Sequence, residues 1–200
     1  DTFSPHQDII SQRLHTLYQL PKVSQGVLIV PVTTLMHRIT PKDYLLANTL
    51  VLDVGQKFEL ENFRHQLESA GYRCVDTVYE HGEFTVRGSI LDLFPMGSDT
   101  PFRIDLFDDE IDALRTFDPE TQRSIEKVDN IRLLPAKEFP LTDQAITKFR
   151  QMWRETFDVD VRQCPIYQDV SEGISPPGVE YYLSLFFEHC ETLFDYLPEN

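Results

Sequence analysis

"FRIDLFDDEID", residues 102–112, alternates side-chain character before it breaks into acids. Successive strand side chains point to opposite faces, so Phe102, Ile104 and Leu106 share one side, and Arg103, Asp105 and Phe107 the other. The first set reads as the core face. The second then faces solvent, which leaves a phenylalanine beside an arginine outside. "DDE" (108–110) reads as a tight turn and "IDALRTF" (111–117) as the returning strand.

Further strand candidates lie on both sides: "TLVLDVGQKF" (49–58), "YRCVDTV", "FTVRGSILDLF" and "NIRLLP", separated by turns such as "EHGE", "PMGSDT" and "DPETQ". "ELENFRHQLESAGY" (59–72) reads as an amphipathic helix, with Leu60, Phe63, Leu67 and Ala70 on one face and Gly71 as its stop. One helix followed by an antiparallel meander is an α+β module with limits near 49–135. The same parity in "FTVRGSILDLFP" turns Phe84 and Val86 inward and Thr85 and Arg87 outward. Arg87, Arg103 and Phe107 then share one sheet surface, all three clear of the core. Two readings stay open. The three could form an interface, since Arg and aromatic residues are enriched at binding hot spots. Alternatively, Arg103 pairs with Asp105 or a cross-strand acid, and Phe107 tucks under the turn.

The flanks have a different texture. Ile9, Ile10, Leu14, Leu17 and Leu20 follow a helical stripe that Ser4 and Pro5 open and Pro21 ends. "GVLIVPV" (26–32) has the continuous apolar character of a strand buried on both faces, and "TTLMHRI" reads as a helix capped by Thr33 or Thr34. Helix, buried strand, helix is the rhythm of an α/β layer fold. Beyond the meander, "TDQAITKFRQMWRETF" (142–157) reads as a helix capped by Thr142 or Asp143, with Ile146, Phe149 and Trp153 along one side. "VEYYLSLFFEHC" reads as another helix after the turn "SPPG".

The totals restrict the chemistry. A net charge of −15 on 200 residues argues against a dedicated duplex-DNA binder, which needs a basic face. No apolar run approaches the roughly 20 residues that cross a bilayer, and no signal pattern opens the chain. Cys74, Cys164 and Cys190 are widely spaced and read as free thiols of a reducing cytosol. The missing initiator Met reads as a piece of a longer protein. Neither a phosphate-cradling GxxxxGK[ST] nor a GxGxxG is present. The histidines form no metal-binding pair. Asp105, Asp108, Asp109 and Glu110 form an acidic cluster that reads first as a solvated hairpin turn, with a metal-dependent nuclease using Asp105, Asp108 and Asp109 as one rival. A second rival places Arg87 and Arg103 on DNA phosphates.

A family resemblance bears on the choice. "RGSILDLFP", "FDDEID" and "FDPETQRS" resemble the central domain shared by bacterial transcription-repair coupling factors and the excision-repair protein UvrB. "EHGEFTVRG…DLFPMGS" is more similar to the coupling factors, with a UvrB-type excision subunit as the alternative. The resemblance extends to both flanks. It implies a truncated helicase-like α/β domain (1–48 and 136–200) interrupted by an antiparallel-sheet-plus-helix domain (49–135). It implies a non-catalytic segment that binds UvrA, the damage-recognition ATPase. Matched through "VRG", "PFRID" and "DLFDDE", the binding role falls on Arg87, Arg103 and Phe107. It implies no cofactor or metal in this segment, because ATP and Mg belong to a motor domain elsewhere in such proteins. Their further partners would be RNA polymerase and duplex DNA, with a C-terminal domain masking the UvrA surface, all in the bacterial cytoplasm and without a membrane. "DTFSPHQDIISQRL" leaves little room for the DNA-inserting β-hairpin of UvrB, in keeping with coupling factors.

Overall fold

A computed structural model describes residues 3–198. In chain order the helices and strands are α1 (Gln7–Gln19), α2 (Val32–Leu35), α3 (Lys42–Ala47), β1 (Leu50–Asp53), α4 (Leu60–Ser69), β2 (Arg73–Cys74), β3 (Glu83–Arg87), β4 (Ile90–Phe94), β5 (Phe102–Phe107), β6 (Glu110–Phe117), β7 (Ser124–Val128), β8 (Asn130–Leu133), α5 (Asp143–Thr156) and α6 (Pro165–Ser171). They divide into two compact units. No described helix is long and apolar enough to cross a membrane.

One unit comprises His6–Thr16 and Leu46–Lys137. Its six-stranded sheet has the order β2-β3-β4-β5-β6-β7, antiparallel except for the two-residue β2, which pairs in parallel with β3. β1 and β8 form a separate antiparallel pair with Leu50 opposite Leu133, so the two ends of the module lie side by side. The inner face of the large sheet follows parity. Phe84, Leu91, Leu93, Ile104, Ile111 and Leu114 are all fully buried. α4 contributes Phe63 and Leu67 to the interior, and the Phe63 ring lies 4.7 Å from Phe58. The N-terminal helix residues belong here through polar contacts. The Gly97 N–H donates to Ser11 Oγ at 2.9 Å, and His15 Nδ1 sits 2.9 Å from the Gly97 carbonyl.

Glu83 fastens the loop before β3. Its carboxylate accepts the N–H groups of Tyr79 and Glu80, each at 2.9 Å, and an Arg73 guanidinium N–H. Burial opposes its charge, but these donors outweigh that cost and hold its carboxyl below the usual value of 4.5. A depressed carboxyl stabilises the fold above its unfolded value, and that contribution is lost as pH falls through its folded value. We expect the melting temperature of the wild type to fall more on acidification below about pH 4.5 than that of Glu83→Gln. Parallel pH dependences in thermal melts would contradict this.

The other unit comprises Asp1–Pro5, Leu17–Leu45 and Glu138–Asn200. Thr142 caps α5, with its Oγ1 accepting the Ala145 N–H at 3.3 Å. Phe149 and Trp153 of α5 meet Tyr167 of α6 and Phe186 in an aromatic core. The Tyr196 hydroxyl donates to the Thr40 carbonyl at 2.8 Å, and Ile39 bridges Glu191.

Several sequence expectations fail for identifiable reasons. "GVLIVPV" forms no strand, and Val27 and Ile29 are each 89% exposed. A strand buried on both faces needs sheet neighbours, and no described strand pairs with this run. Pro31, not Thr33 or Thr34, precedes the single turn of α2. Ile9 belongs to the expected α1 stripe but is exposed. "VEYYLSLFFEHC" is not an α-helix. Val179–Leu185 is 3₁₀ in character and kinked at Tyr182. "TLVLDVGQKF" and "YRCVDTV" each yield only a short strand, β1 and β2. "FTVRGSILDLF" is two strands, not one. Gly88, at φ +62°, turns the chain between β3 and β4. β7 was not foreseen, because its surface-exposed "SIEK" lacks the apolar alternation that reveals a half-buried strand. It is an edge strand, where charge discourages pairing with other chains.

Candidate interaction surface

Cross-strand register turns the outer face of the large sheet into rows. One row runs Thr85, Asp92, Arg103, Arg115, Lys127. The next runs Arg87, Ile90, Asp105, Ala113. Beyond it lies Phe107 opposite Glu110. Successive rows lie about 7 Å apart, two residues at the strand rise. Arg87, Arg103 and Phe107 therefore occupy one face, as parity requires.

The face is not uniformly wet. At one end Phe94, Phe117 and Val78 form a small buried cluster on it. The other end opens to solvent at Arg87 and Phe107, where Phe107 is 77% exposed. Arg103 stands between the two. Its guanidinium lies 5.1 Å from the centre of the Phe117 ring, and its side chain is only 16% exposed. Phe107 is the last residue of β5, where the chain enters its turn through Asp108 at φ +56°.

Both arginines are tied to the protein. Asp92, with no exposed side-chain surface, accepts Arg103 Nε–H at 2.7 Å on Oδ1, and on Oδ2 both Arg103 Nη2–H at 2.9 Å and Arg87 Nη2–H. Arg103 Nη1–H also donates to Ser124 Oγ at 3.3 Å. Hydrogen bonding to Asp92 reinforces the charge of Arg103 against the opposing effect of burial. The expectation that both arginines stand clear of the core needs correcting. Arg103 takes the cross-strand acid that the alternative reading allowed, and only Arg87 keeps about half its side chain exposed.

β4 intervenes between the strands that carry Arg87 and Arg103, and sequence reasoning missed it. Treating 84–94 as one strand hid Asp92. A lone acid in the apolar "ILDLF" was the available signal. Arg115 was missed for another reason. Strict alternation from Ile111 points it inward, but Asp112 is an extra residue opposite the step between Asp105 and Leu106. The bulge flips the parity, and Arg115 meets Asp105 on the outer face. Two of the acids proposed for a metal have separate basic partners, Asp105 held by Arg115 and Asp109 3.1 Å from Lys57. Among the described residues no group of three His, Cys, Asp or Glu could hold an ion.

Comparison with known proteins places this face within a described domain. Residues 50–139 match the family model of the UvrB interaction domain. Over its whole length the chain is 56% identical to the transcription-repair-coupling factor of Escherichia coli and 52% identical to that of Haemophilus influenzae. Over 96% of its length it is 29% identical to the Bacillus subtilis counterpart. In each case it spans about 18% of the relative's length.

Proposed function

Because the chain belongs to the transcription-repair-coupling factor family and carries a UvrB interaction domain, we propose that it recruits UvrA through the outer face of its large sheet. The observation that carries this reading is the pairing of the Arg87 and Arg103 guanidiniums on the same sheet face that presents the exposed ring of Phe107, on a chain of net charge −15. The arginines offer planar, multi-donor charges to acidic groups on UvrA. Phe107 enters an apolar pocket and excludes water from those charge pairs. In the whole protein this contact would serve transcription-coupled excision repair. An ATP-driven motor outside these residues would displace RNA polymerase from damaged DNA, and a masking domain would cover the surface until repair begins.

Titration calorimetry with purified UvrA tests the reading. Arg87→Ala, Arg103→Ala and Phe107→Ala should each weaken binding by about 2 kcal/mol, roughly 30-fold. Phe107→Ala and Arg87→Ala should leave the thermal transition nearly in place. Arg103→Ala should lower it, because Asp92 loses two of its three donors in a buried position. Unchanged affinity in all three variants would end the proposal. A strongly salt-dependent affinity for plain duplex would favour DNA phosphates instead.

A further inference from the structure

Asp92 is the most enclosed member of the cluster, and its geometry assigns it a part in recognition. A carboxylate out of water is costly unless its oxygens are paired. Here both are. Arg103 approaches side-on through Nε and Nη2, and Arg87 adds an end-on donor to the same Oδ2 that Arg103 Nη2 uses. Each guanidinium carries five N–H groups. Asp92 takes two from Arg103 and one from Arg87, and Ser124 takes one more from Arg103. The trio carries a net positive charge, and Arg87, with 48% of its side chain exposed, has further donors to offer a partner.

We infer that Asp92 is a positioning residue for UvrA capture: it holds Arg87 and Arg103 together, offsets their mutual repulsion and presents them already ordered. This rests on reading the two arginines as UvrA contacts. Two cations reaching one point from strands on either side of β4 repel each other, and without the shared acid their long side chains would scatter. A partner would then have to order both as it bound, at a cost for each immobilised side chain. A buried acid that merely competed with the partner's carboxylates would have the opposite effect, since its removal would strengthen binding. An acid that only supported the fold would act regardless of the arginines.

The test is a double-mutant cycle in this chain, with UvrA affinity read by calorimetry and folding by thermal melts. Asp92→Asn keeps the shape and removes the charge. It should weaken binding about ten-fold or more. In an Arg87→Ala/Arg103→Ala background the same change should have no further effect beyond about two-fold. Wild-type or tighter binding by Asp92→Asn overturns the inference, as does an equal loss in the arginine-free background. If Arg87→Ala/Arg103→Ala itself binds UvrA normally, the underlying reading of the site fails and takes this inference with it. Should Asp92→Asn not fold, Arg103→Lys decides. It keeps the charge, but an ammonium cannot reproduce the side-on pair, so it should also lose about ten-fold or more. Wild-type affinity in that variant overturns the inference.

Discussion

Ile104→Ala is expected to destabilise the sheet-bearing unit by roughly 2–5 kcal/mol. Ile104 sits mid-strand on β5, opposite Leu91 on one side and Leu114 on the other, and none of the three has any exposed surface. Truncation removes the transfer free energy of the lost methylenes and leaves a cavity. The cost falls within the range according to how far the neighbours can close in. Strands hydrogen-bonded on both sides give them little freedom to move. Chemical denaturation should show the midpoint shifting with little change in slope. A loss under about 1 kcal/mol would mean that this face is not packed as the register implies.

Phe149→Ala should cost about 3–5 kcal/mol in the other unit. The Phe149 ring is fully buried. Its centre lies 4.7 Å from that of Phe186, 5.4 Å from Trp153 and 6.4 Å from Tyr167, so one truncation removes several aromatic contacts as well as burying less apolar area. Trp153 is the chain's single tryptophan, so its fluorescence reports on the environment being changed. The fluorescence transition of Phe149→Ala should move to markedly lower denaturant. A transition at the wild-type midpoint would show that the cluster contributes little.

What could be read in the residues, and what could not, follows from the range of the forces involved. β5 declared itself because inner and outer faces differ chemically at each step before Phe107, and the same alternation put Arg87, Arg103 and Phe107 on the outer face. α5 announced its start because Thr142 caps locally. Features that depend on pairing were hidden. The Gly88 turn makes two strands of one apolar stretch and inserts Asp92 between the arginines. The Asp112 bulge reverses the parity of β6 and brings Arg115 outward. A local periodicity cannot foresee either, since each is settled by which strand becomes the neighbour. "GVLIVPV" shows the converse limit. Its composition suits a buried strand, yet composition does not supply the neighbours that would bury it.

Phe107→Ala tests the central claim most directly, because the ring is 77% exposed and its removal should leave the fold almost untouched. Titrated with UvrA, that variant is predicted to bind roughly 30-fold more weakly while melting within about a degree or two of the wild type. Wild-type affinity at an unchanged melting temperature would contradict the account.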